Sequence, residues 1–166
     1  MLFLKALLRG CLFCYIYDMK YLKNRKKTLL ISAFPGCGKS HFYNNCKHLK
    51  VLDSDSSTFD KEHFPQNYMD HIRDNIDKVD IILISSHKEV RDVLKENEFD
   101  FTLVYPDKDI KEEYIGRYKE RGNDDAFVKL LENNWDNWIN EIESEDGYQK
   151  IVLSNGEYLS DKIDIG

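Results

Sequence analysis

Short apolar runs alternate with amphipathic stretches along most of this chain, and from residue 27 onward the alternation is that of strands and helices. An apolar run over 28–32 ends at a glycine-rich loop, after which a helix is expected over 39–48. A second short strand is expected at 50–53, followed by a polar stretch at 54–58 and a helix over 66–78. Residues 79–85 are the most continuous apolar run of this region and predict a strand; 87–97 reads as a helix and 101–105 as a strand closed by Pro106. Two more helices and a last strand at 150–154 complete the pattern. In the longest helix, 124–144, Phe127, Leu130, Leu131, Trp135, Trp138, Ile139 and Ile142 recur at helical spacing, so one stripe should face the core, with both tryptophans as anchors. Strands apolar on both faces, alternating with helices, predict an α/β fold: a three-layer sandwich around a mostly parallel sheet of about five strands.

Residues 1–17 break this pattern. They are strongly apolar but interrupted by Lys5 and Arg9, and no uninterrupted run approaches the ~20 residues of a membrane span. No small-residue cleavage site follows, and a basic cluster (Lys20, Lys23, Arg25, Lys26, Lys27) comes next. Three readings fit residues 1–18: a peripheral amphipathic anchor, a stretch upstream of a natural start at Met19, or a segment that packs on the domain. The expected division is therefore an extension at 1–18 and one domain at 19–166.

Composition narrows the class. The 166 residues are 42% hydrophobic and 33% charged, which is ordinary for a globular chain long enough to bury a core. A net charge of −6 disfavours a general nucleic-acid binder, which needs a basic face, but leaves room for a local basic pocket. Four cysteines without a framework, including a lone Cys11-x-x-Cys14 with no second pair, suit a reducing cytoplasm rather than secretion. His41, His48, His63 and His71 have no metal-ligand spacing.

The chemistry is concentrated at strand ends. Ala33, Phe34, Pro35, Gly36, Cys37, Gly38, Lys39 and Ser40 form a phosphate-loop pattern with alanine at its first position. Glycines permit a tight loop whose backbone N–H groups approach phosphates, the lysine reaches the outer phosphates, and the hydroxyl ligates magnesium. Residues 33–41, His41 included, are the expected donor-binding segment, with ATP and Mg2+ as cofactors. Asp53 and Asp55, followed by Ser57, fall at the carboxyl end of the second strand, where ligands bind in open sheets. Two such carboxylates can divide the labour. Asp53 would hold a water of the metal, with Ser40 as the other metal residue, and Asp55 would accept a proton or orient the acceptor. Asp53 and Asp55 without the loop would read as a polar turn.

Arg117 and Arg121 lie four apart near the end of a helix that Gly122 terminates, so they share a face and can stabilise charge on a transferring phosphoryl group. An exposed face paired with nearby glutamates is the competing explanation. His87 and Arg91, after the third strand, are candidates for an anionic acceptor. No acidic residue ends the third strand, as it would in motor-type ATPases, and guanine-specificity motifs are not evident.

The loop, the Asp53-Ser54-Asp55 segment and the paired-arginine helix together resemble the P-loop small-molecule kinases. The aspartate pair is similar to the shikimate kinase pattern, in which the first aspartate helps hold magnesium and the second meets the substrate hydroxyl. The loop also resembles that of polynucleotide 5′-kinases. The stretch 28–161 is similar to short phage-encoded nucleoside-monophosphate-kinase-like proteins, chiefly through Asp53 to Ser57, Ser86 to Arg91 and Val104-Tyr105-Pro106. The resemblance implies that Arg117 and Arg121 belong to a mobile lid and that Asn155, Gly156, Glu157 and Tyr158 lie near the adenine. Shikimate-specific arginines and the substrate-site sequence of adenylate kinase are not recognisable.

The expected activity is ATP- and magnesium-dependent phosphoryl transfer to a small acceptor, a nucleoside monophosphate foremost. Lys39, Asp55, Arg117 and Arg121 are the expected catalytic residues, and Asp53, Asp55, Ser57, His87 and Arg91 the acceptor-binding ones. Two alternatives stand beside it: a kinase for a polynucleotide end or modified base, and a nucleotide-binding regulator without turnover. No nucleic-acid or firm membrane partner is favoured.

Overall fold

A computed structural model describes residues 28–163, so the apolar extension and the Cys11/Cys14 pair lie outside the described residues. Five strands, β1 (Leu29–Ala33), β2 (Val51–Asp53), β3 (Ile81–Ser85), β4 (Phe101–Pro106) and β5 (Gln149–Leu153), form one sheet in the order β2-β3-β1-β4-β5. Every pairing is parallel. The three central strands are buried along almost their whole length, which is why they read as unbroken apolar runs: Ile31, Ile82, Leu83, Ile84, Leu103 and Val104 are all fully buried. Each such side chain contributes about 1.5–3 kcal/mol relative to an exposed one.

Among the described residues five α-helices connect the strands, α1 (Lys39–Asn45), α2 (Gln66–Asn75), α3 (Lys88–Glu96), α4 (Lys111–Glu120) and α5 (Asp125–Ser144), and α6 (Leu159–Lys162) follows β5. The β1–α1–β2 connection runs across the sheet in the opposite sense to all later ones. With right-handed crossovers this puts α1 on one face and the later connecting helices on the other. Accordingly α1 packs against α6, while α3 and α5 are joined by ion pairs. The result is a three-layer sandwich around a parallel five-stranded sheet. Among the described residues no helix is long and apolar enough to cross a membrane, and Cys37 and Cys46 are free thiols.

Element ends differ from the sequence expectation where a polar side chain competes for the backbone. β1 begins at Leu29 because the Thr28 hydroxyl donates to Val79 O (2.6 Å) and accepts from Asp77 N (2.8 Å). α1 stops at Asn45, whose side-chain amide donates to the His41 carbonyl (2.8 Å). α2 stops at Asn75, and Asp77 takes a left-handed φ of 64° two residues later. β3 starts at Ile81 because Asp80 is occupied with Lys50, accepting its N–H on Oδ2 (2.7 Å).

Asp124 caps α5 by accepting from Phe127 N (2.7 Å). The buried stripe of this helix is Val128, Leu131, Trp135, Ile139 and Ile142, so the expectation for Leu130 is corrected: it is 52% exposed, and Val128 takes the inward position. Phe127 and Trp138 are partly buried against the core. Trp135 is fully buried and donates its indole N–H to Lys108 O (2.9 Å), as a buried tryptophan requires.

Candidate active site

The loop after β1 sits at the carboxyl edge of the sheet and turns on two glycines with left-handed backbone, Gly36 (φ 85°) and Gly38 (φ 93°). Five consecutive carbonyls of this loop are each held by a donor. Phe34 O accepts from Cys37 N (3.2 Å), Cys37 O from Leu159 N (2.8 Å) and Gly38 O from Phe42 N (2.9 Å). Pro35 O accepts from the Tyr118 hydroxyl, and Gly36 O from the Arg117 guanidinium (3.1 Å). Among the described residues no acceptor meets the N–H groups of Gly36, Gly38, Lys39 or Ser40. A run of backbone donors with its carbonyls tied off is an anion-binding concavity.

The loop borders an open cleft of about 1540 Å³. That exceeds the roughly 300–1,000 Å³ of a pocket for one small molecule, leaving room for two ligands side by side. β2 and β3 lie on one side of β1 and β4 and β5 on the other, so their carboxyl-end segments form the two walls. Asp53, Asp55, Ser57, Lys61, Phe64 and His87 line the first. Arg117, Arg121, Gly156 and Tyr158 line the second. Ala33, Phe34, Pro35, Gly36, Gly38, Lys39, Ser40 and His41 all border the cleft. Cys37 does not line the cleft: it is fully buried, its thiol lies 3.4 Å from Tyr114 Oη, and burial pushes its pKa up to about 12.

Burial lowers the Lys39 pKa, against the charges of Asp53 and Asp55. The two aspartates diverge. Burial raises Asp53, with Lys39 opposing, whereas Asp55 is held low, first by the Ser57 N–H bonded to its Oδ1 (2.9 Å). Loss of solvent, then the positive charges of Lys39 and Arg91, lowers His87.

The structure does not bring Arg91 to the cleft. Its side chain is 3% exposed and committed to α5: Nη2 donates to Glu145 Oε1 (2.7 Å) and to Glu141, Nε to Glu145 Oε2 (3.2 Å), and Nη1 to Ser86 O. A buried guanidinium needs such partners, and Arg91 itself does not line the cleft. Arg117 and Arg121 also part company. Arg121 is exposed at the end of α4. Arg117 is 7% exposed, stacked 3.9 Å from the Tyr158 ring centroid and 4.6 Å from that of Tyr114. It pairs with Glu113 and donates to Gly36 O and Glu157 O (2.9 Å).

Sequence reasoning missed Lys61, Phe64, Tyr114 and Tyr118, whereas Gly156 and Tyr158, expected near the adenine, border the cleft. For the α4 tyrosines a signal existed: Tyr114, Arg117, Tyr118 and Arg121 share one helical stripe. It also missed that Asp60, Glu62 and His63 bring their ligand atoms within 4.8 Å of one another, an exposed cluster in which His63 Nδ1 and Asp60 Oδ2 are hydrogen-bonded (2.7 Å).

This strand order, the all-parallel sheet and the loop at its carboxyl edge are consistent with a P-loop-NTPase-like fold, and so with a nucleotide-binding phosphotransferase. No protein-family model matches the chain, and no curated protein matches it.

Proposed function

We propose that this protein transfers a phosphoryl group from ATP to a small acceptor, a nucleoside monophosphate foremost, with magnesium as the metal. The observation that carries the reading is the loop itself: N–H groups at Gly36, Gly38, Lys39 and Ser40 that meet no acceptor among the described residues, with every carbonyl from Phe34 to Gly38 held by a donor, and two carboxylates bordering the same cleft. The loop amides and Lys39 would cradle the donor phosphates, and Tyr158 offers an aromatic face at the cleft for the base.

Ser40 and Asp53 fit a divalent cation. The Ser40 hydroxyl is exposed at the loop's end, and Asp53 is a carboxylate whose charge burial disfavours, so a cation beside it would relieve that penalty. Magnesium there would neutralise charge on the phosphates. Arg121, exposed at the opposite wall, would add positive charge where it develops during transfer.

Asp55 would orient the acceptor rather than deprotonate it. Its depressed pKa makes it a weak base, and a monophosphate arrives already deprotonated, so orientation is what it needs. Lys61, with Ser57, His87 and Phe64, supplies one cation, polar groups and an aromatic face on that wall, a set matched to one phosphate and one base. Titration calorimetry with Mg-ATP, followed by ADP release across an acceptor panel, tests this. Micromolar binding with acceptor-dependent ADP release is expected; absence of binding overturns the reading, and binding without release in any arm favours a non-catalytic regulator.

A further inference from the structure

Helix α4 grips the 33–40 loop with three side chains on one stripe. The Tyr118 hydroxyl donates to Pro35 O, Arg117 donates to Gly36 O (3.1 Å), and Tyr114 Oη lies 3.4 Å from Cys37 Sγ. Residues i, i+3 and i+4 of a helix thus engage three consecutive loop residues in reverse order. The fit is close: a Cβ built on Gly36 would come within 3.0 Å of Tyr118 Oη and 3.2 Å of the Tyr114 ring. Arg117 reaches further, donating also to Glu157 O (2.9 Å), while Glu113, its ion-pair partner, accepts from Gly156 N (3.0 Å). The guanidinium therefore ties the loop after β1 to the loop after β5, and Leu159 N completes the link at Cys37 O.

We infer that Arg117 and Tyr118 are positioning residues that hold the Pro35 and Gly36 carbonyls away from the cleft, so that the Gly36 N–H, and no carbonyl oxygen of this turn, faces the donor phosphates. This rests on the donor-site reading above and assigns α4 a part that a mobile lid cannot play, because a lid movement would release the loop. A peptide plane turned over at Pro35 would present a carbonyl oxygen to phosphate and remove the Gly36 N–H, a double loss; one turned over at Gly36 would present a carbonyl and break the Cys37 N–H bond to Phe34 O (3.2 Å). Arg117 has little capacity left for a phosphate, since its Nη atoms are committed and only Nε, buried, lacks a partner. Arg121 is the arginine of this stripe that is open to the cleft.

The test uses Tyr118→Phe, which deletes one hydroxyl, and Arg117→Lys, which keeps the charge but cannot bridge two carbonyls while stacking on Tyr158. Each variant should weaken Mg-ATP and Mg-ADP binding by about tenfold, the size expected for one lost hydrogen bond. KM for ATP should rise much more than kcat falls. The Gly36 and Gly38 amide resonances of 15N-labelled protein should move while those of β3 stay. A residue acting only on the transition state would lower kcat and leave ADP affinity and the glycine resonances unchanged; that result overturns the inference. If wild-type protein binds no nucleotide, the donor-site reading fails, and the glycine resonances alone then decide the clamp. If Arg117→Lys does not fold, Tyr118→Phe decides it.

Discussion

Lys39 lies among groups that all act on its charge: burial disfavours the ammonium, and Asp53 and Asp55 favour it. A triphosphate would replace those aspartates as its nearest negative partner, so Lys39→Ala should reduce turnover by about 100-fold or more, as loss of one preorganised charge donor does elsewhere. The protein should keep its melting temperature, since Lys39 is not a core residue. Wild-type ADP release in that variant would remove the loop from the mechanism. The aspartates should separate in kinetics as they do in environment. Asp53→Asn should raise the magnesium concentration needed for half-maximal rate, and Asp55→Asn should raise KM for the acceptor while ATP affinity holds. A magnesium and acceptor titration of both variants checks this, and two wild-type profiles would reduce the segment to a polar turn. That Gly36, Gly38, Lys39, Asp53 and Asp55 border one cleft was legible from the loop's spacing after a strand and from the aspartates' place at the end of the second strand. Tyr114 and Tyr118 could have been grouped with Arg117 and Arg121 by their shared helical stripe, but which loop that stripe meets is not written in the local sequence.

At the scale of elements, α3 and α5 are stapled by Arg91 to Glu141 and Glu145, with Lys95 3.1 Å from Glu145 Oε2 and Tyr148 donating to it (2.8 Å). Burial alone would raise the Glu145 carboxyl, but hydrogen bonds from Arg91 and Tyr148, with the Arg91 charge and Lys95, outweigh it and hold it at about 2. A folded pKa below the unfolded value of 4.5 stabilises the fold above pH 4.5 and is lost as pH falls from there towards 2. The contribution is on the order of 2–3 kcal/mol. Glu145→Gln should therefore lower the melting temperature at pH 7 and flatten its decline between pH 4.5 and 2. Arg91→Met should cost about 3 kcal/mol, the low end for a broken buried pair because Glu145 keeps Lys95 and Tyr148 and Glu141 is partly exposed, and should leave acceptor KM unchanged. Thermal unfolding across pH measures the first, and the second pairs melting with steady-state kinetics; an acceptor KM that rises in Arg91→Met would restore Arg91 to the acceptor site. Arg91 looked like a ligand residue in the sequence because it sits one turn from His87 after a strand end. Its partners lie 50 and 54 residues away on another helix, which no local pattern reveals.

Across the whole molecule, the alternation of buried strands and amphipathic helices made the sandwich and its parallel sheet legible. The order β2-β3-β1-β4-β5 was not, because parallel partners are set by crossovers between distant residues. That order makes the cleft, by leaving the 33–40 loop between two walls that come from different parts of the chain. It also concentrates the cations Lys39, Lys61, Arg117 and Arg121 at one site of a chain whose net charge is −6. A polynucleotide would need a basic track and would show a steep loss of affinity with salt; one acceptor phosphate needs a single well-placed cation. The most direct measurement offers the protein γ-labelled ATP and magnesium with separate nucleoside monophosphates, and in parallel with 5′-hydroxyl oligonucleotides. The account predicts label in at least one nucleoside diphosphate product and none in the oligonucleotides. Label entering only the oligonucleotides, or entering neither acceptor, would contradict it.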